Sequence, residues 1–176
     1  MSVKFLLDGM LGTLARWLRI SGYDAEYLRS TPDKDLVDRA SEEDRILLTR
    51  DKLLYRKAIK AGAEAMLVKG EDDVERLSLI VKKYGLVLHP QQSRCPKCNG
   101  LLENVDKDIV KDKIPKRTYK AFDEFFVCSS CGQVYWRGSH WNSIVDTLRR
   151  TSNIAARDSN KAKNDLYDKD PEDNGR

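Results

Sequence analysis

The sequence predicts an α/β fold with a mainly parallel sheet, followed by a small β-rich unit held by metal and a disordered C-terminal tail. Three observations lead there. First, short apolar runs such as VKFLL (3–7), RILLT (45–49) and EAMLV (64–68) alternate with segments of helical period, as in chained βαβ units. Second, these runs are nearly continuous in apolar residues, so their strands are expected to be covered on both faces, as in parallel sheets. Third, the four cysteines come as two C-x-x-C pairs, both within residues 91–150.

Taken in order, VKFLL reads as a buried strand ending at Asp8. A helix follows from Met10 to Ser21, with Leu11, Leu14, Ala15 and Leu18 on one face and Gly12, Arg16 and Arg19 on another. Gly22 stops it. AEYLR (25–29) is a second strand. Thr31 and Pro32 read as N-cap and first helical residue of a helix burying Leu36, Val37 and Ala40. RILLT is a third strand, and a helix over 52–61 ends at Gly62. EAMLV is a fourth strand, after which Glu71, Asp72 and Asp73 open a helix with Val74, Leu77, Ile80 and Val81 inside. LVL (86–88) reads as a last short strand before Pro90. The expected division is residues 1–90 for the α/β domain, 91–150 for the cysteine-bearing unit and 151–176 for a tail too poor in large apolar groups to offset its ordering entropy.

Composition narrows the class further. No apolar run approaches the roughly 20 residues of a membrane span, and Asp8 interrupts the apolar N-terminus, so no signal peptide is expected. A soluble, cytoplasmic chain with no membrane partner is the expectation. The net charge of +4 is unevenly spread: residues 1–88 carry +1, residues 89–150 carry +4 and residues 151–176 carry −1. Lys107, Lys111, Lys113, Lys116, Arg117 and Lys120 crowd between the cysteine pairs. Such a patch favours a polyanion through phosphate neutralisation; a merely solvated loop is the competing reading.

Cys95-Pro-Lys-Cys98 and Cys128-Ser-Ser-Cys131 are separated by 29 residues, and glycine follows each closely. Two such turns bring four thiolates around one tetrahedral Zn²⁺. With all four positions thiolate, the zinc is expected to be structural rather than catalytic. Phe125-Phe126-Val127 and Val134-Tyr135-Trp136 read as a hairpin around it, making a zinc ribbon. Metal would supply stability that so small a core lacks.

Asp8 and Asp51 each stand just past a strand, where open α/β sheets place their ligand crevice. If their strands are neighbours, the two carboxylates lie close enough to share Mg²⁺ or Mn²⁺, whose chemistry is phosphodiester hydrolysis or phosphoryl transfer. Helix capping is an equal alternative for both. Asp33 and Asp35, in the first turn of the second helix, fit capping better on spacing alone.

Four ordered blocks carry a resemblance: Asp8-Gly-Met-Leu-Gly-Thr-Leu-Ala-Arg-Trp-Leu-Arg19, Arg45-Ile-Leu-Leu-Thr-Arg-Asp51, the CPKCNG knuckle, and CSSCGQVYWRGSHW (128–141). Together they resemble the PIN-like ribonuclease domain of the Mut-seven C-terminal family, an α/β/α nuclease domain with an appended zinc ribbon. The likeness spans roughly residues 3–150. It implies a metal-dependent ribonuclease with Asp8, Asp51 and either Asp33 or Asp35 as catalytic acids, Asp8 and Asp51 holding Mg²⁺ or Mn²⁺, and Zn²⁺ on Cys95, Cys98, Cys128 and Cys131. Arg16, Arg19 and Arg50 match basic positions of the family and are expected to bind RNA phosphates, with Lys113, Lys116 and Arg117 of the ribbon insert assisting. Tyr135, Trp136 and Trp141 either stack on unpaired bases or form the ribbon's small core. The alternative to an enzyme is a non-catalytic RNA-binding module in an RNA-processing or ribosome-associated complex.

Overall fold

The structure is a computed structural model that describes the backbone of residues 3–167 and side chains through residue 157. Four strands form its main sheet: β1 (Lys4–Leu7), β2 (Asp24–Tyr27), β3 (Ile46–Thr49) and β4 (Ala65–Leu67). All neighbours are parallel, in the order β2-β1-β3-β4. The connecting helices are α1 (Gly12–Ile20), α2 (Asp33–Glu42), α3 (Lys52–Lys60) and α4 (Asp73–Tyr84). Successive side chains of a strand point to opposite faces, and both faces are apolar here. Phe5 and Leu7 of β1 and Ile46 and Leu48 of β3 join Leu14, Leu18, Leu77 and Ile80 on one side. Leu6 and Leu47 meet Leu36, Ala40, Leu54 and Ala58 of α2 and α3 on the other. This is the three-layer α/β/α arrangement expected, with β1 and β3 adjacent.

Beyond it lies a second sheet, antiparallel, of β5 (Leu102–Val105), β6 (Phe125–Cys128) and β7 (Val134–Trp136) in that order. A short helix α5 (Lys116–Ala121) sits in the insert between β5 and β6. Buried Val110, Phe125 and Val134 make a very small core. The hairpin of β6 and β7 was expected; β5, LENV, carries too weak a pattern to announce itself.

Three expectations need correction. The LVL run is not a strand. Leu86 donates its amide to the Val81 carbonyl across Gly85, which has φ +61° and closes α4. The Val87 amide and carbonyl are both met by the Tyr23 hydroxyl, and the His89 amide by Ser21 O. Those partners satisfy the backbone without a ladder. Thr31 does not cap α2; Pro32 occupies that place and the helix opens at Asp33 without a side-chain cap. Finally, residue 151 does not begin a tail. Helix α6 runs Ser139–Tyr167 and returns from the ribbon to lie along α4, burying Leu148, Thr151 and Ala155 in the main core. The small residues Thr151 and Ala155 allow that close approach, which is why the segment looked core-poor in sequence. Residues 168–176 of the expected tail lie outside the described residues.

Candidate active site and metal centre

Neighbouring strands β1 and β3 deliver Asp8 and Thr49 to the same edge of the sheet, in register Leu7 with Leu48. Asp8 is only 5% exposed. One carboxylate oxygen accepts from the Met10 amide at 3.0 Å; the other accepts a short bond from the buried Thr49 hydroxyl. Thr49 Oγ1 in turn accepts from the Asp51 amide at 2.9 Å. One hydroxyl thus links the Asp8 carboxylate to the Asp51 backbone, a role that nothing in the LLTRD block announces for Thr49.

Asp51 caps α3: its Oδ1 accepts from the amides of Leu53 at 2.6 Å and Leu54 at 3.2 Å. The capping reading therefore holds for this residue. It does not exclude the other, because Oδ2 has no partner among the described residues and the side chain is exposed. Asp33 accepts from Lys57 Nζ at 2.8 Å. The Lys57 ammonium is held protonated, its pKa raised first by that hydrogen bond and charge and further by Asp51. Lys57 therefore ties Asp33 on α2 to the edge where Asp51 stands. Asp35 is exposed and has no such tie; its charge is felt by Lys34 on the same helix. Among the described residues the carboxylates do not close into a group of three compact enough to grip one ion; the four cysteines do.

The basic residues divide. Arg50 and Arg16 are exposed, Arg50 beside Asp51 and Arg16 on α1. Lys113, Lys116 and Arg117 are exposed on the insert around the start of α5. Arg19 is different: it is 6% exposed, and its guanidinium donates to Ala25 O at 2.7 Å, Pro96 O at 3.0 Å and Lys97 O at 3.3 Å. It fastens α1 and the edge strand β2 to the first cysteine turn. Asn99 does the same from the other side, its Oδ1 accepting from Ala25 N at 3.0 Å and its Nδ2 donating to Asp24 at 2.8 Å.

At the cysteine centre the four sulfurs lie within 4.8 Å of one another, with Cys95 to Cys131 at 3.7 Å and Cys98 to Cys128 at 3.4 Å. None is in a disulfide. Four sulfurs about 2.3 Å from a central Zn²⁺ would stand about 3.8 Å apart, so these residues fit a tetrahedral metal. The two turns match: Asn99 (φ 72°) and Gly132 (φ 69°) each follow the second cysteine in the left-handed region. A Cβ on Gly100 would come 2.8 Å from Cys128 Sγ, so only glycine passes there. The thiols share their protons unevenly. Burial and the adjoining sulfurs push Cys98 up to about 12, whereas backbone amides of Cys131 and Ser130 overcome burial and bring Cys128 down to about 6. The Tyr135 hydroxyl lies 3.1 Å from Cys95 Sγ, placed to donate to a thiolate. Tyr135 is half-buried there, Trp136 is 37% exposed, and Trp141 stacks under Arg137.

Fold and site together define a class: a parallel three-layer α/β domain with Asp8 and Asp51 at its strand ends, joined to a small antiparallel sheet whose four-cysteine cluster could hold a metal ion. The chain belongs to the Mut7-C RNAse domain family, whose model matches residues 3–148. Membership makes this a ribonuclease domain acting on RNA. A search of curated proteins and a search of solved structures each returned no match.

Proposed function

We propose that the chain is a Mg²⁺- or Mn²⁺-dependent ribonuclease whose acids are Asp8, Asp51 and Asp33, with a zinc-held ribbon that helps bind RNA. The observation that carries this is the placement of Asp8 and Asp51 at the C-terminal edge of adjacent parallel strands, with Thr49 linking the Asp8 carboxylate to the Asp51 backbone amide. A hard cation suits this all-oxygen donor set. When bound, such an ion activates water and stabilises charge on the scissile phosphate. The chain's own residues do the rest. Met10 N–H and Thr49 hold the Asp8 carboxylate in one orientation. The α3 amides fix Asp51 with its second oxygen outward. Asp33 is preferred to Asp35 because Lys57, whose ammonium also feels the charge of Asp51, holds Asp33 by a hydrogen bond toward the same edge. Arg50, beside Asp51, is suited to hold a neighbouring phosphate.

A non-catalytic RNA-binding role is favoured by one observation, the open spacing of the acids. Incubating the protein with labelled RNA in Mn²⁺, in Mg²⁺ and without divalent ions separates the two. Cleavage only with the ions, lost in Asp51→Asn, supports the nuclease. Binding without cleavage under every condition supports the module.

A further inference from the structure

A cleft of about 600 Å³ opens where α1, the end of β2 and the first cysteine turn meet. Its charged walls are all cationic: Arg16 from α1, Arg29 after β2 and Lys97 from the CPKC turn, over a floor that includes Arg19. Arg16, Arg29 and Lys97 are exposed, and among the described residues none of their side chains makes a hydrogen bond or an ion pair. Elsewhere in the same domain Arg39 is paired with Glu26, Arg45 with Asp24 and Arg76 with Asp73. Positive charge without acidic partners, gathered in a concave wall, raises the local concentration of an anion.

The cleft wall is tied to the loop that carries Asp8. Tyr27, on its wall, donates its hydroxyl to Gly9 O at 3.0 Å, in the loop that carries Asp8. A Cβ on Gly12 would stand 3.2 Å from the Tyr27 ring, so glycine there keeps α1 tight against β2 at the cleft's mouth. At the far end the wall is built by Lys97, whose carbonyl is clasped by Arg19. The cleft thus leads from the loop of Asp8 to the zinc-held turn, and its volume suits a nucleotide unit rather than a double helix.

We propose that this cleft is the track of single-stranded RNA beside the scissile phosphate, with Arg16, Arg29 and Lys97 neutralising successive backbone phosphates. The assignment rests on the ribonuclease reading for its substrate but not for its binding. It makes the first cysteine turn, rather than the lysine-rich insert, the ribbon's main grip on RNA. The cleft exists only while the turn stays docked, so zinc would control substrate binding without touching the chemistry.

The test is fluorescence anisotropy of labelled single-stranded RNA with the full, zinc-loaded chain in the absence of Mg²⁺ and Mn²⁺, over a range of salt. Arg29→Ala and Lys97→Ala are each expected to weaken binding about three- to tenfold and to lower the salt slope by about one unit. Lys60→Ala, at the far end of α3 on the opposite layer, is expected to match the parent. Parent-like affinity and slope in the Arg29→Ala/Lys97→Ala double variant, or no RNA binding by the parent, would overturn the cleft, as would preference for a duplex. Retained zinc in each variant shows that the turn is intact. A cleavage assay in Mn²⁺ separates the two readings. Cleft-dependent binding without cleavage removes the nuclease and leaves the cleft; cleavage unchanged in the double variant does the reverse.

Discussion

Asp24 shows how much can hang on one half-buried carboxylate. Arg45 donates to it at 2.7 Å and Asn99 at 2.8 Å, so the same group closes the edge of the sheet and anchors the cysteine turn. Burial alone would raise its pKa; the hydrogen bonds from Arg45 and Asn99 and the guanidinium charges outweigh that and hold it below its ordinary 3.8. A depressed carboxylate contributes stability that is complete above the unfolded value and lost as pH falls through the folded one. We expect the thermal midpoint to fall as pH is lowered past 3.8, and to fall less steeply in Asp24→Asn. Arg19 shows the limit of reading single residues. The helical period sets it on the face of α1 with Gly12 and Arg16, open to RNA phosphates, yet it is buried. Besides Ala25 O, its partners are the carbonyls of Pro96 and Lys97, 77 and 78 residues away, and no local pattern reports them. Asp8 and Asp51 were legible because strand ends are; Thr49 was not, since an apolar run masks a single hydroxyl.

At the scale of elements, the strands and helices of the α/β domain were legible within a residue or two because their apolar residues follow clean periods. What escaped were segments whose backbone is satisfied by side chains or by distant packing. The 86–88 run has strand composition, yet Tyr23 supplies its hydrogen bonds. Helix α6 has few large apolar residues, yet Thr151 and Ala155 are buried because small side chains let it lie close to α4. Placing a charge at Ala155 tests that packing. Ala155→Asp is expected to cost about 3 kcal/mol or more, a buried carboxylate without a partner, read as a lowered denaturation midpoint. A silent substitution would mean that α6 leaves the core before that point.

The whole molecule is one chain folded out and back: the α/β domain, then the ribbon, then α6 returning to cover the domain's α4 face. Arg19 and Asn99 lock the cysteine turn to edge strand β2, which also covers a strand edge otherwise open to pairing. The overall charge of +4 hides this arrangement, in which Asp8 and Asp51 stand at the strand ends while Arg16, Arg29 and Lys97 gather in the cleft. Elemental analysis is expected to find one zinc per chain. Stripping it with a chelator should lower the thermal midpoint and weaken RNA binding together, because four clustered thiols lose the ion that holds them. The central claim is hydrolysis at Asp8. It is tested most directly by single-turnover cleavage of labelled RNA in Mn²⁺ by the parent and by Asp8→Asn, with folding and RNA affinity measured on both. The expected result is a rate at least about 100-fold lower for Asp8→Asn, as for loss of a group acting at the reacting centre, with affinity retained. Equal rates in the two proteins would contradict it.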